Sequence, residues 1–240
     1  MNFTMNSQIQ DNGSPVDFDD YSRSYKDKLD AVLKRCGETS DYFYSYKIDC
    51  LKHKLKELER PYFVLDFGSG IGTLSALVAQ EFPRWTVYGY DISSQSIELA
   101  TEKWSRLNNL TFLGTWPVHV KFDIIIAANV FHHVPADARR DTLSNIRKLL
   151  TPDGKVVIFE HNPWNPLTQF IVRNCEFDRD AILISASHFT KMAYDCGLDV
   201  CSKQYIVFFP NLFKKLRFLE RNLGWFPLGA QYMLILNSRA

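Results

Sequence analysis

The segment Val64-Leu-Asp-Phe-Gly-Ser-Gly-Ile-Gly72 constrains this chain more than any other. An apolar run gives way to three glycines spaced two apart, and a helical pattern follows over 74–82. Glycine lets the main chain approach a ligand closely, and the start of the next helix presents unpaired N–H groups. Around this turn the chain alternates regularly. Strands are predicted at 62–67, 86–90, 110–113, 122–128 and 155–160, with helices at 74–82, 94–105 and 136–150 between them. Phe122–Ala128 is almost continuously apolar, as a strand covered on both faces requires. Thr151-Pro-Asp-Gly154 reads as a turn. Strands alternating with helices of this length predict a parallel α/β sheet.

Residues 1–16 are polar and aperiodic and read as a frayed tail. Phe18, Tyr21, Tyr25 and Leu29 then recur at helical steps, and a second helix is predicted over 41–59, so 17–60 forms a helical cap. Past Glu160 the rhythm breaks. Residues 161–187 carry Pro163 and Pro166 and read as an irregular insert walling a pocket. A helix near 188–196, a strand at 200–209, a helix at 212–222 and a last strand at 230–236 complete the domain that starts at 61. With 240 residues there is enough chain to bury a core without staples.

Two carboxylates narrow the ligand. Asp66 stands at the entry to the glycine loop, where it would repel a pyrophosphate but suit an ammonium. Asp91 closes the second strand, about twenty residues beyond the loop, where a carboxylate can accept both hydroxyls of a ribose. Asp91 alone would also fit a nicotinamide dinucleotide, which Asp66 fits badly. S-adenosylmethionine carries a ribose, an ammonium and a sulfonium. Its amino-acid end can lie over Gly68 and Gly70 beside Asp66, and Ile92 either packs on the adenine or belongs to the ordinary core.

Val64–Gly72, Tyr88–Ser93, Phe122–Val134 and Leu149–Glu160 together resemble the class I S-adenosylmethionine-dependent methyltransferases. The resemblance implies a Rossmann-like, mostly parallel seven-stranded sheet flanked by helices, with the last strand antiparallel and inserted beside the sixth. It covers roughly 60–160 by motif. The family often has an acid after strand three to meet the adenine amine; here Thr115 and Trp116 occupy that stretch, with Trp116 either stacking on the base or capping the core edge. Asn129, at the end of strand four, is implied beside the methionine part of the cofactor. The Glu160-His-Asn-Pro stretch and Phe18-Asp-Asp-Tyr-Ser-Arg-Ser-Tyr25 look like a subgroup found around glycan and secondary-metabolite biosynthesis, whose first helix folds over the cofactor; this implies Tyr25 against the cofactor and Tyr21 closing the pocket, the alternative being that both pack the helix onto the sheet.

Transfer from a sulfonium is an in-line displacement, helped by a base where the acceptor is a hydroxyl. His161 and His133 are the candidate proton acceptors. Glu160 is placed with them, setting a tautomer or holding substrate. His132, Asn162, Trp164 and Tyr21 are candidate substrate contacts, Asn162 alternatively fixing the proline turns. Cys175, Asp178 and His188 are too openly spaced for a metal set, and no metal is expected.

Composition bounds the partners. Twenty-eight Lys+Arg against 27 Asp+Glu leave a formal charge of +1, which argues against a nucleic-acid binder. Five cysteines without a close pair, and a polar start, point to a cytoplasmic protein with reduced thiols. No run is long enough to span a membrane, although 208–226 combines aromatic bulk with basic residues and could rest on an anionic surface. A monomer or homodimer methylating a small-molecule acceptor, a hydroxyl of a sugar, lipid-linked saccharide or other metabolite, is the leading expectation. An RNA or protein methyltransferase, or a non-catalytic cofactor-binding scaffold, is the alternative.

Overall fold

The computed structural model describes residues 25–34, 37–55, 57–175, 178 and 180–239. The expected tail at 1–16, Phe18 and Tyr21 lie outside the described residues, as does the side chain of Tyr25. Helices α1 (Tyr25–Lys34) and α2 (Ser40–Lys54) come first. Then follow β1 (Phe63–Phe67), α3 (Thr73–Glu81), β2 (Thr86–Tyr90), α4 (Ser94–Lys103), β3 (Leu110–Leu113) and β4 (Phe122–Ala128). After them come α5 (Arg139–Lys148), β5 (Leu150–His161), α6 (Pro166–Asn174), α7 (Ala186–Asp195) and β6 (Leu198–Ile206). A 3-10 stretch (Asn211–Leu219), a short α8 (Glu220–Leu223) and β7 (Gln231–Ser238) end the chain.

The seven strands form one sheet in the order β3-β2-β1-β4-β5-β7-β6. Strands β1 to β5 run parallel, while β7 is antiparallel to both β5 and β6, so the last strand lies beside the sixth. Side chains alternate between faces along each strand. Leu65, Ile125, Val156 and Ile158 pack against Leu143 and Ile146 of α5 and Phe189 of α7. Val64, Ile126, Val157 and Phe159 pack on the opposite face against Leu51 of α2 and Leu74 and Val78 of α3. The register pairs Asp66 with Gly89 and Ala128 with Phe159, so the carboxyl ends of β1, β2, β4 and β5 share one edge.

Three segments differ from the sequence expectations. The predicted turn at 151–154 is an irregularity inside a continuous β5: Phe122 pairs with Leu150, and the next pair is Ile124 with Lys155. The insert contains a regular helix, α6, capped by Asn165, whose side chain accepts from the Thr168 N–H, with Pro166 in the first turn. The segment expected as a helix over 212–222 is 3-10 as far as Leu219, and none of its side chains at 211–219 is buried. Among the described residues no helix is long and apolar enough to cross a membrane.

Candidate active site

The shared strand edge opens into a cleft of about 1350 Å³. Gly68 and Ser69 donate their N–H groups to the Tyr90 carbonyl at 2.8 and 2.9 Å, which folds the glycine loop back across β2. Gly68 sits at φ +75°, and a Cβ there would lie 2.5 Å from Val130 Cγ2, so the loop has no room for another residue. Nothing lies within 4 Å of the corresponding position on Gly70. The Gly70 N–H donates to Asp91 Oδ2 at 2.7 Å and the Ser93 N–H to Asp91 Oδ1 at 2.9 Å. Asp91 is thereby fixed at the cleft wall beside the largely exposed Ile92.

Asp66 also faces the cleft but is buried, and accepts from Ser75 Oγ at 2.6 Å. Burial pushes its pKa up to about 6, against the lowering effect of Ser75. Thr115, Trp116 and Asn129 line the same space. Trp116 meets Phe67 and Tyr90 edge-on, with ring centroids 5.7 and 5.3 Å apart, so it packs on the core while facing the cleft. Asn129 adopts the left-handed conformation at φ +59°, where the chain leaves β4. Its N–H donates to the Phe159 carbonyl at 2.8 Å and its Oδ1 accepts from Gln231 Nε2 at 3.4 Å.

The histidines form the second half of the site. Glu160 is fully buried and does not line the cleft. Its carboxylate accepts from the N–H groups of Val130 and Phe131 at 3.0 and 2.7 Å, and lies 2.6 Å from His132 Nδ1. It therefore anchors the loop after β4, a role the sequence did not suggest. His132 Nε2 and His133 Nε2 lie 3.6 and 3.3 Å from Asp178 Oδ1. Burial opposes charge on His132, but Glu160 and Asp178 outweigh it and push its pKa up to about 9. Burial likewise opposes charge on Glu160 and Asp178, whose pKa values are nevertheless held below the usual carboxylate range, chiefly by His132 for Glu160 and by both His132 and His133 for Asp178.

His161 and His133 behave differently from His132. Burial, and then the charge on His132, pull His161 down to about 4. Burial also lowers His133, despite Asp178. Both line the cleft, so it presents two neutral imidazoles beside a charged one, with the His132 and His161 rings 5.0 Å apart. Asp178, openly spaced from Cys175 and His188 in sequence, is brought by the fold onto two adjacent histidines, the ligand atoms of all three lying within 4.8 Å of one another.

Two expected substrate contacts fall elsewhere. Asn162 is fully buried, with Nδ2 donating to the carbonyls of Pro227 and Gly229 at 3.0 and 2.8 Å. It fixes the turn before β7 rather than facing the cleft. Trp164 is 68% exposed and lines a separate shallow groove with Pro163 and Phe170. One cleft residue was missed on sequence altogether: Lys47 of α2, 2% exposed, with Nζ 5.8 Å from the Phe159 ring centroid. The signal was a lysine on the stripe that also carries Tyr44, Ile48 and Leu51.

Residues 65–156 match the family model described as a methyltransferase domain. A highly reducing polyketide synthase of Fusarium sp is 28% identical over 149 residues, 55% of this chain and 6% of that protein. The malonyl-[acyl-carrier protein] O-methyltransferase of Halalkalibacterium halodurans is 27% identical over 113 residues, 44% of this chain and 41% of that enzyme. The matched region thus spans less than half the length of these curated relatives. Magnesium protoporphyrin IX methyltransferase from Synechocystis PCC 6803, solved with bound SAH, superposes with a TM-score of 0.61 at 19% identity, covering 93% of this chain and 100% of that one. The fold is that of the class I methyltransferases.

Proposed function

We propose that the chain is an S-adenosylmethionine-dependent methyltransferase that methylates a hydroxyl of a small molecule, such as a sugar, a lipid-linked saccharide or another metabolite. One observation carries this reading: the glycine loop with Asp91 and a pair of neutral histidines open into the same cleft. The cofactor fits the residues present. The open approach over Gly70 admits an amino-acid end, Asp66 suits its ammonium, and Asp91, already oriented by two backbone donors, retains lone pairs for ribose hydroxyls. Ile92, Thr115 and Trp116 supply the wall for the base, and Asn129 lies toward the reaction centre.

When bound, the cofactor supplies a methyl group on a sulfonium. The chain's own task is to hold the acceptor oxygen in line with that carbon and to take its proton. His161 or His133 accepts the proton, because each is neutral and faces the cleft. His132 does not serve as the base: it already carries a proton, held between Glu160 and Asp178. With the cofactor bound, the new C–O bond would replace its C–S bond, whose electron pair would stay on sulfur, while the acceptor's proton would remain on His161 or His133. Phe43, Tyr44 and Phe208 supply aromatic lining to the cleft.

Calorimetric titration with S-adenosylhomocysteine beside NAD tests the cofactor, followed by transfer of labelled methyl to a panel of glycans and phenols. Binding of the first alone is expected. Binding of NAD alone would sink the proposal, and tight S-adenosylhomocysteine binding with no transfer to any acceptor would favour a silent scaffold. Peripheral contact with an anionic surface belongs to the same proposal: Leu212, Phe218 and Trp225 are exposed near Lys214 and Lys215. Co-sedimentation with phosphatidylserine vesicles, abolished by Trp225→Ser and Phe218→Ser together, is the expected result.

A further inference from the structure

Lys47 is a cation where the fold has no structural use for one. It is buried in α2, on the stripe formed with Tyr44, Ile48 and Leu51, yet it reaches the cleft. Among the described residues its Nζ makes no hydrogen bond or ion pair; its neighbours are the rings of Phe159 and Tyr44, at 5.8 and 5.9 Å. The nearby carboxylates are already engaged, Asp66 by Ser75 and Glu160 by three donors. Leaving an ammonium buried without a hydrogen-bonded anion is costly, and a leucine or methionine at 47 would pack on Phe159 without that cost.

We infer that Lys47 is a carboxylate-binding residue of the cleft, its ammonium taking the carboxylate of a ligand that lies between α2 and the glycine loop. The inference rests on the methyltransferase reading above and extends it. Charge complementarity sets the ligand class. Asp66 and Lys47 both line the cleft, so it presents an acid and an ammonium to one ligand. An α-amino acid end carries the matching ammonium and carboxylate. The cofactor's amino-acid end is one source of that carboxylate, and an acidic acceptor is the other.

Lys47→Met and Lys47→Arg, made in the full chain, separate these cases by calorimetry. The probes are S-adenosylhomocysteine; 5′-methylthioadenosine, which lacks the amino-acid carboxylate; and octanoate added to protein saturated with S-adenosylhomocysteine. Lys47→Met should weaken S-adenosylhomocysteine binding by about 10- to 100-fold, the loss expected for a charge-assisted hydrogen bond, and leave methylthioadenosine within about twofold. Lys47→Arg should recover part of the loss. An unchanged S-adenosylhomocysteine affinity with weakened octanoate binding assigns the carboxylate to the acceptor. Unchanged affinity for both overturns the inference and leaves the cofactor reading intact. A wild-type chain that binds neither adenosine compound overturns both.

Two further measurements exclude a merely structural role. Lys47→Met should melt no lower than wild type, because it removes an unpaired buried charge. Burial lowers Lys47 to about 8, partly countered by Cys50 on α2, Glu160 on β5 and Asp66 on β1, while the lysine in turn depresses His161. The wild-type affinity for S-adenosylhomocysteine should therefore fall as pH rises from 8 to 10, and more steeply than that of the Met variant, in which only the ligand's own ammonium titrates. A pH profile shared by both proteins would overturn the inference.

Discussion

Glu160→Gln removes one charge from the loop anchor without changing its size. The carboxylate serves two backbone N–H groups and His132 Nδ1, all buried. His132 rises from 6.5 to about 9 in the fold, and at about 1.4 kcal/mol per pH unit that shift corresponds to roughly 3 kcal/mol. Asp178 contributes part of it, so about 2–3 kcal/mol is the portion Glu160 can carry, near the lower end of what breaking a buried ion pair costs. For a chain of this size that lowers Tm by roughly 4–12 °C.

The sign follows from both partners. A His whose pKa is raised on folding adds stability that is complete below its unfolded value near 6.5 and lost as pH climbs through about 9. Glu160, lowered on folding, adds stability above its unfolded value of 4.5 and loses it as pH falls further. Urea denaturation of both proteins between pH 5 and 9.5 should show the widest gap near pH 5.5–6.5, closing toward pH 9. A gap below about 0.5 kcal/mol throughout, or one constant with pH, would show that His132 is not held charged by Glu160.

Gly68→Ala should cost about 2 kcal/mol or more by thermal denaturation and abolish S-adenosylhomocysteine binding, because its Cβ meets Val130 and the residue sits at positive φ. If Gly68→Ala bound the compound normally, the close loop approach would have no functional weight. His161→Asn should lower methyl transfer by about 10²–10⁴-fold with S-adenosylhomocysteine binding unchanged, and the wild-type rate should hold down to about pH 5 because His161 is pushed down to about 4. Equal loss in His133→Asn alone, with full activity in His161→Asn, would move the base to His133. Trp164→Ala should leave stability within about 0.5 kcal/mol and transfer unchanged, since the ring lies outside the cleft; a raised KM in this variant would return Trp164 to the substrate path.

The sheet was legible because its signals are local. Thr86–Tyr90, Leu110–Leu113 and Phe122–Ala128 are apolar runs bounded by polar or glycine-containing turns, and they form strands at those residues. Helix α6 was missed because Pro163 and Pro166 read as breakers, although Asn165-Pro166 is also the pattern of an N-cap followed by a first-turn proline. Periodicity alone could not reveal the 3-10 geometry of Asn211–Leu219, whose apolar side chains find no buried seat. Asp66, Gly68, Gly70 and Asp91 are legible as residues of the cleft wall because strand ends and glycines mark them. Adjacency in sequence puts Glu160 beside His161, but strand parity separates them. On β5 it shares a face with Val156 and Ile158, the face packed on α5 and α7, and so it turns toward His132; His161 shares the other face with Phe159, toward Lys47. Asp178 and Lys47 come from the insert and the cap, and no local pattern ties either to a strand edge.

Those distant contributions decide the electrostatics of the cleft. Around the cleft His132, Lys47, Lys121 and Lys148 are cations, and Glu38, Asp66, Asp91, Asp178 and the adjoining Glu160 are acids, which leaves one negative charge when the acids are ionised. On the reading proposed above, S-adenosylmethionine enters with two cationic groups and one anionic group, so its net charge opposes that of the site. The product has lost the sulfonium and is neutral overall. In a buried cleft, where Coulomb interactions are weakly screened, the same residues favour the methyl donor over the spent cofactor. Burial first, and then the His132 charge, keep His161 neutral, so the group that stabilises the loop helps prepare its neighbour to accept a proton.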